Sequence, residues 1–240
     1  MQTGMVTLET SDGPMAAYEA SPEIRRGGVV VVQEAFGVNE HIEDIAKRLA
    51  AEGYHAVAPA LYHRAGGNPV VPYDDMSSIM QYMGGLDDDA ILTDIDAALD
   101  HLRATGLDDA SIGVVGFCMG GRVSFLVAAR RTLGAAVGFY GGGIVTSRRP
   151  ASPALVGEAA TLATPWLGLF GDADASIPVD DVEALRAALT SVPVDSDVVR
   201  YPDAEHGFHC DARPAYHPEA AADGWSRTLA WFDAHLQRVS

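Results

Sequence analysis

The sequence predicts an α/β fold with a mostly parallel sheet, an antiparallel N-terminal edge and helices on both faces. Short runs of β-branched residues alternate along the chain with longer stretches whose apolar residues recur at helical spacing. Several of those runs, such as residues 29–32, are apolar throughout, which is typical of parallel strands buried on both faces. Because no linker-like stretch divides the 240 residues, we expect one domain over residues 1–240.

The predicted strands are short apolar runs bounded by turn-forming residues. The first two form an antiparallel hairpin, because the sequence Ser-Asp-Gly-Pro at 11–14 between them is typical of a turn. The later runs are separated by helical stretches, which favours parallel pairing. The predicted strands are residues 5–9, 15–20, 29–32, 55–59, 112–115, 135–140, 165–170 and 196–201.

The predicted helices have recognisable ends as well as apolar faces. Asn39 can cap the first helix, and Gly53 ends it. The third begins with acidic residues, which suit a helix N-terminus. The predicted helices are residues 40–52, 76–84, 87–104, 122–130, 178–189 and 220–236, and the longest connections, at 60–75, 144–163 and 204–218, are expected to be loops.

Composition excludes several classes of function. The formal net charge of −17 argues against nucleic acids and anionic membranes as partners. No apolar run reaches 18 residues, and the N-terminus lacks the basic-then-apolar layout of a signal peptide. The two cysteines do not make a disulfide scaffold. We therefore expect a cytoplasmic protein without nucleic-acid or membrane partners.

Residues 111–124, SIGVVGFCMGGRVS, carry the most informative motif. A strand at 112–115 leads into a glycine-rich turn around Cys118 and then into a helix, as in a G-x-S-x-G nucleophile elbow with cysteine in place of serine. Gly116 and Gly120 leave room that a Cβ would occupy in so tight a turn. The first N–H groups of the helix would favour negative charge at the sulfur. The alternative is a small buried cysteine beside a packing turn.

Two further residues supply the other parts of an acyl-transfer site, which needs a nucleophile, a base and a group that orients the base. Cys118, Asp174 and His206 each follow a predicted strand, in the order nucleophile, acid, histidine of the α/β-hydrolase fold. Because the carboxyl ends of parallel strands share one edge, we expect the three to meet there. Asp172 competes for the role of the acid, but Asp174 stands at the entry to the next helix and is preferred.

Glu34 ends an apolar strand, where a carboxylate needs either a partner or a function. We interpret it as a second titratable group that controls the protonation of the thiol. The backbone N–H groups of Ala35 and Met119 are then expected to hold the oxyanion of the reaction. The alternative for Glu34 is a charge that emerges into solvent at the end of a strand.

Histidines and the second cysteine near the predicted base raise the question of a metal site. His209, Cys210 and His217 lie near His206, but the spacing H-x-x-H-C fits no closed zinc pattern, and no acid stands at a helical offset from them. We therefore expect no metal and no other cofactor, and Cys210 is interpreted as a bystander.

Four motifs together resemble the dienelactone hydrolase family of α/β-hydrolases, and the likeness extends over essentially the whole chain. They are Gln-Glu-Ala-Phe-Gly-Val-Asn at 33–39, Gly-Phe-Cys-Met-Gly-Gly at 116–121, Gly-Asp-Ala-Asp at 171–174 and His-Gly-Phe at 206–208. The resemblance implies a triad of Cys118, His206 and Asp174. It also implies that Glu34 contacts the resting, largely neutral thiol, and that substrate binding frees it to help form the thiolate.

The implied activity is hydrolysis of small carboxylic esters or lactones through a thioester acyl-enzyme. The founding members bind a substrate carboxylate with arginines, and the corresponding segment 73–82 contains none here. Its Met- and Tyr-rich part suits an uncharged, apolar substrate, although core packing of a short helix explains it equally. The residues expected to contact the substrate are Phe36, Met80, Tyr82, Met83, Phe208 and Arg213.

Other functions fit the same residues. One is thioester hydrolysis or acyl transfer, which the sequence does not separate from ester hydrolysis. Another is a non-catalytic protein that binds or senses a ligand, for which a damaged triad would be expected, whereas this triad is complete. In each case the expected partner is a small molecule, and the chain is expected to be a monomer or a homodimer.

Overall fold

The computed structural model of the protein describes residues 1–147 and 151–239. Its strands are β1 (Gln2–Thr10), β2 (Gly13–Ser21), β3 (Gly27–Val32), β4 (Tyr54–Pro59), β5 (Ile112–Phe117), β6 (Ala135–Phe139), β7 (Trp166–Gly171) and β8 (Ser196–Tyr201). Its α-helices are α1 (Glu40–Ala51), α2 (Met76–Gly84), α3 (Asp88–Arg103), α4 (Met119–Arg130), α5 (Val179–Ala188) and α6 (Pro218–His235). Every predicted strand and helix is therefore confirmed, with ends shifted by a few residues. Within these residues no helix has both the length and the apolar composition to cross a membrane.

The eight strands form one sheet in the order β1-β2-β4-β3-β5-β6-β7-β8. β2 pairs antiparallel with both β1 and β4, and every other neighbouring pair is parallel. The predicted parallel sheet with an antiparallel N-terminal edge is confirmed. In the register of β3 and β5, Val32 lies opposite Gly116, so the turns that follow these two strands are neighbours at the carboxyl edge.

The core lies on both sides of the central strands. Every residue of β3, β4, β5, β6 and β7 is buried, as expected where helices cover both faces of a parallel sheet. The edge strand β1 is mostly exposed. The predicted apolar faces of the helices are confirmed: α1 buries Ile42, Ile45 and Leu49, and α3 buries its own row of leucine and isoleucine side chains.

One helix begins at its predicted capping residue, and another begins earlier than predicted. The Asn39 side chain accepts a hydrogen bond from the Ile42 N–H at 3.2 Å, which confirms it as the cap of α1. α4 begins at Met119 rather than at the predicted residue 122. Glycines disfavour a helix, so Gly120 and Gly121 are not predicted to be helical, but in the structure they let the helix pack closely against the sheet. A Cβ on Gly120 would lie 2.3 Å from the Val32 carbonyl oxygen. The predicted loop 144–163 also contains a short 3₁₀ helix, Val156–Thr161.

The end of β5 leaves no room for a side chain at Gly116. A Cβ on Gly116 would lie 1.9 Å from the carbonyl oxygen of Gly120, a contact that backbone atoms cannot relieve. We expect Gly116→Ala to destabilise the protein by about 3 kcal/mol or more, measured by urea unfolding. Gly84→Ala is the matched control, since a Cβ there meets nothing within 4 Å and Gly84 ends a helix. Equal stability of the two variants would contradict this account of the turn.

Candidate active site

Cys118 occupies the turn between β5 and α4, at the carboxyl edge of the sheet. Its backbone lies at φ 54° and ψ −113°, a combination that residues with a Cβ rarely adopt. The turn is fixed by hydrogen bonds, because the Cys118 N–H donates to the Phe139 carbonyl at 3.1 Å and the Cys118 carbonyl accepts from the Gly121 N–H at 3.0 Å. The side chain is partly exposed, so the sulfur is held on a strained turn rather than buried in the core.

His206 and Asp174 are brought together as the sequence predicts. Nδ1 of His206 lies 2.6 Å from Oδ2 of Asp174, whose side chain is almost completely buried. The second oxygen of Asp174 accepts hydrogen bonds from the N–H of Ser176 at 2.8 Å and from its hydroxyl at 2.6 Å. The carboxylate is therefore oriented from both sides, and it orients the imidazole in turn.

The charges of this pair support each other. Burial lowers the pKa of His206, but the Cys118 sulfur and the Asp174 carboxylate together raise it, to about 10. Burial raises the pKa of Asp174. The hydrogen bond and charge of His206, together with the hydrogen bonds from Ser176, outweigh burial, so the pKa of Asp174 is lowered. At neutral pH the arrangement thus favours an imidazolium beside an ionised carboxylate, which is the environment that stabilises a cysteine thiolate.

Asp172, the competing acid, is engaged elsewhere. Its two carboxylate oxygens accept hydrogen bonds from Nε and Nη2 of Arg200, each at 2.7 Å. Arg200 also binds Glu183, so Asp172 belongs to an ion-pair network between β7, β8 and α5. Of the two acids in the Gly-Asp-Ala-Asp motif, Asp174 is the one in contact with His206.

Cys118 and His206 line a cavity of about 330 Å³. One wall is formed by residues that follow β6: the backbone of Gly142 and Gly143 and the hydroxyl side chains of Thr146, Ser147 and Ser152. Arg122 supports this wall, because it donates to the Pro153 carbonyl at 2.5 Å. The remaining lining residues are Met83, Met119, Arg122 and Ser176. The Arg122 guanidinium forms a bidentate ion pair with Asp88, at 2.7 and 3.0 Å, so among the described lining residues no guanidinium is left uncompensated.

The two predicted oxyanion donors lie in neighbouring turns. Met119 is the first residue of α4, so its N–H has no acceptor within the helix. Ala35 lies in the turn after β3, which is closed by the Gly37 N–H donating to the Glu34 carbonyl at 3.3 Å. The Ala35 carbonyl is held by the Tyr62 hydroxyl at 3.0 Å. The pairing of β3 with β5 places these turns at the same edge of the sheet.

Glu34 is completely buried, and its surroundings differ from those that the resemblance implies. Neither carboxylate oxygen has a hydrogen-bond partner among the described residues. Two cations lie slightly beyond hydrogen-bond distance: Nη1 of Arg213 is 3.6 Å from Oε1, and Nδ1 of His41 is 3.7 Å from Oε2. Within the described part of the chain, no hydrogen bond or ion pair joins Glu34 to Cys118. A carboxylate oxygen of Glu34, a ring nitrogen of His41 and the sulfur of Cys210 instead lie within 4.8 Å of one another.

Helix α2 contributes one residue to the cavity, where three were expected. Met83 lines it beside Cys118. Tyr82 stacks on Tyr62, with ring centroids 5.2 Å apart. Met80 is 59% exposed and lies outside the cavity, because it stands on the solvent-facing side of the helix, next to the buried Ile79. The structure therefore does not place Met80 in the lining of this cavity.

The other three residues expected to contact the substrate lie around the cavity rather than in its lining. Phe36 packs in a small buried cluster, and its ring contacts Tyr73 edge-on at 4.5 Å. Phe208 is buried in the core against Tyr140, with centroids 5.2 Å apart, and is a packing residue. Arg213 extends towards Glu34 and the Phe36 ring. The structure therefore places the Phe208 side chain in the core and not in the cavity lining.

Comparison with known proteins decides the family. The sequence model of the dienelactone hydrolase family matches residues 15–236. The chain belongs to the dienelactone hydrolase family. A relative from Yersinia pestis, named as a candidate carboxymethylenebutenolidase, is 40% identical over 242 residues, which cover 97% of this chain and 88% of the relative. The predicted resemblance is confirmed, and the chain is a member of a hydrolase family.

Solved structures agree with this assignment. A candidate dienelactone hydrolase from Klebsiella pneumoniae is 40% identical, with a TM-score of 0.89 and coverage of 98% of this chain and 99% of that one. A dienelactone hydrolase-like promiscuous phosphotriesterase from metagenomic libraries is 26% identical, with a TM-score of 0.79 and coverage of 98% and 99%. The α/β-hydrolase fold predicted from the sequence is therefore confirmed.

Sequence reasoning missed several residues of the site. Ser176 could have been found, because Asp-x-Ser at the entry to a helix is typical of a side chain that caps a turn. The hydroxyl groups of Thr146, Ser147 and Ser152 follow a Gly-Gly-Gly sequence, which marks a turn but not a cavity. His41 carries no local signal, since its partner His209 comes from a distant part of the chain.

Proposed function

We propose that this member of the dienelactone hydrolase family hydrolyses small, uncharged carboxylic esters or lactones, with Cys118 as the nucleophile. The observation that carries the proposal is the 2.6 Å contact between His206 Nδ1 and Asp174 Oδ2, beside a cavity lined by both His206 and Cys118. A carboxylate on Nδ1 holds the imidazole in one orientation and leaves Nε2 to exchange protons with the reacting groups.

The reaction is proposed to begin with attack of the Cys118 thiolate on the substrate carbonyl carbon. The carbonyl electron pair moves onto oxygen, where the N–H groups of Ala35 and Met119 stabilise the negative charge. The tetrahedral intermediate then collapses, the C–O bond to the leaving group breaks, and the alkoxide takes the proton of the His206 imidazolium. The products of this step are a thioester and an alcohol.

Deacylation uses the same groups in reverse. Neutral His206 removes a proton from water as the water oxygen attacks the thioester carbonyl, and Cys118 leaves as a thiolate beside the regenerated imidazolium. In a lactone the alcohol formed in the first step stays attached to the acyl group. The cavity of about 330 Å³ must therefore hold the opened chain while water enters, which limits the substrate to a small molecule.

The substrate class follows from the charges of the lining. The one guanidinium in the described cavity wall belongs to Arg122 and is already paired with Asp88. Binding a substrate carboxylate there would require breaking a buried bidentate ion pair, which is costly. The methionine side chains and hydroxyl groups of the wall suit an uncharged ester better. Thioesters share this chemistry and are the second substrate class to test.

Glu34 is proposed to control the protonation of the thiol. Its buried carboxylate lies in the turn next to the nucleophile turn, where it can take up the proton of the Cys118 thiol when substrate enters.

We also propose that residues 1–240 form one catalytic domain, that the protein is cytoplasmic, where the thiol stays reduced, and that it is a monomer or a homodimer.

Hydrolysis of p-nitrophenyl acetate, with and without prior treatment with iodoacetamide, tests the proposal. Peptide mass spectrometry measures how much of Cys118 is alkylated, and we expect turnover to fall in proportion to that fraction. Cys210 should not react, because it is completely buried. A dienelactone serves as a second substrate, and we expect it to be hydrolysed more slowly because it carries a carboxylate. Ester turnover that survives complete alkylation of Cys118 would contradict the thiol mechanism.

A further inference from the structure

A buried group of charged and titratable residues lies beside the catalytic residues, and the mechanism above uses only one of them. We call it the Glu34 cluster, and it consists of Glu34, His41, His209, Cys210 and Arg213. Glu34 and Cys210 are completely buried, while His209 and His41 are 4% and 8% exposed. Five polar atoms of the cluster have no hydrogen-bond partner among the described residues: both oxygens of Glu34, Nδ1 of His41, Nε2 of His209 and Nη1 of Arg213.

The carboxylate of Glu34 needs compensation from charges, because it receives none from hydrogen bonds. A buried, unpaired carboxylate is strongly unfavourable. The two cations near it are Arg213 at 3.6 Å and His41 at 3.7 Å, one on each oxygen. Arginine stays charged at every accessible pH, whereas histidine is charged only when it is protonated. His41 is therefore the partner whose charge can vary.

The neighbours of His41 keep it protonated at neutral pH. Burial lowers the pKa of His41, but Cys210 and Glu34 outweigh burial and raise it to about 9. His209 shows the opposite behaviour, since burial, the charge of His41 and the charge of Arg48 all lower its pKa. Neutral His209 can then accept a hydrogen bond at Nδ1 from Nε2 of His41, 3.4 Å away. This bond orients the ring so that Nδ1–H of His41 faces Glu34.

Groups on every element packed around His41 agree with this charge state. Asp44 and Arg48 lie on the same helix, α1, and line a small opening together with His41, His209 and Asp211. The Tyr73 hydroxyl lies 3.4 Å from the sulfur of Cys210, and burial together with Cys210 raises the pKa of Tyr73. The acidic groups in this region are Glu34, Asp44 and Asp211, and the competing cations are Arg48 and Arg213.

We propose that His41 is a positioning residue, whose imidazolium acts with Arg213 to hold the Glu34 carboxylate and so sets how readily Glu34 takes the proton of the Cys118 thiol. This inference rests on the role proposed above for Glu34. It assigns a function to a histidine that touches neither the cavity around Cys118 nor the reacting atoms.

A metal ion is the competing explanation for the same geometry. Donor atoms of Glu34, His41 and Cys210 lie within 4.8 Å of one another, and His41 has a second buried partner in His209, as metal-ligating histidines often do. Arg213 argues against it, because a permanent cation 3.6 Å from Glu34 already supplies the charge that a metal would bring.

A double-mutant cycle between His41 and Glu34 tests the proposal. The rate at which iodoacetamide alkylates Cys118 is measured by peptide mass spectrometry on samples reacted between pH 5 and about 10. The quantity compared between variants is the midpoint, the pH at which this rate is half its maximum. We expect His41→Gln to raise the midpoint by about one pH unit, because the negative charge of Glu34, compensated by Arg213 alone, then opposes a second negative charge on the sulfur. In the Glu34→Gln background the same substitution should shift the midpoint by less than about 0.3 units. His41→Gln should also lower kcat about tenfold, with little change in KM.

The controls separate the possible failures. His55→Gln removes another buried histidine that is paired with a glutamate, Glu19, at 2.7 Å, and it should leave the midpoint unchanged. If Glu34→Gln alone leaves the midpoint unchanged, the proposed role of Glu34 fails and the inference fails with it. If Glu34→Gln shifts the midpoint and His41→Gln does not, or shifts it equally in both backgrounds, only the role of His41 is overturned. A thiolate-to-cobalt absorption band on adding Co²⁺, absent in Cys210→Ser, would overturn it in favour of a metal site.

Discussion

Replacing Cys118 with alanine is expected to lower kcat/KM for p-nitrophenyl acetate by about 10⁴-fold or more. The substitution removes the sulfur that is proposed to form the thioester, and neither the oxyanion donors nor His206 can replace a covalent nucleophile. The fold should be unaffected, because the strained backbone at φ 54° is held by hydrogen bonds of main-chain atoms that alanine retains. Steady-state kinetics and thermal unfolding of the same preparation measure both quantities.

The Cys118→Ala variant also removes the sulfur beside His206, which gives a second readout. The pKa of His206 is raised partly by the Cys118 sulfur, so its pKa should fall in the variant. NMR titration of the His206 ring would follow this change directly. Ester turnover within about tenfold of the wild type, in a variant whose folding is intact, would exclude Cys118 as the nucleophile.

The three residues of the candidate triad could be predicted from sequence because each is tied to a strand end. Parallel strands bring their carboxyl ends to one edge, so order along the chain becomes proximity in space. Cys118 after β5, Asp174 after β7 and His206 after β8 follow this rule. The glycine pattern around Cys118 added the geometry of the turn, and the contacts that a Cβ would make at Gly116 and Gly120 explain that pattern.

Residues whose role depends on side-chain direction could not be predicted in the same way. Phe208 is two residues from His206 in a loop, where no periodicity tells which side chain faces the cavity and which faces the core. Met80 and Met83 lie on one short helix, and an apolar residue at either position fits the pattern equally. The structure distinguishes them, since Met83 lines the cavity and Met80 is exposed.

The residues that surround Glu34 could not be predicted from the sequence. A carboxylate at the end of a buried strand signals that some partner exists, but Arg213 and Cys210 reach it from a loop some 175 residues later in the chain. The spacing of His209 and Cys210 fits no local zinc motif. It could not indicate that they pack against His41, because that contact depends on how the last loop lies over α1.

The second large effect is expected for Asp174→Asn, which should lower kcat/KM for the same ester by about 10³- to 10⁴-fold. An amide cannot stabilise the imidazolium, and its NH₂ group would face the nitrogen of His206 that now donates to the carboxylate at 2.6 Å. The ring would then turn its proton towards Cys118 and lose its capacity as a base. The pKa of His206 should fall for the same reason, so the remaining activity should be shifted along the pH axis.

Two variants separate this effect from a general disturbance of the loop. Asp172→Asn makes the same chemical change two residues away, at an acid that binds Arg200, and should leave kcat/KM within about twofold. Ser176→Ala removes a hydroxyl that lies 2.6 Å from Asp174 and 3.3 Å from His206, and should cost less than about tenfold. Because the carboxylate keeps its bond to the Ser176 N–H, losing the hydroxyl weakens its orientation without removing its charge. A loss in Asp172→Asn as large as that in Asp174→Asn would mean that the loop conformation, and not the contact with His206, determines the rate.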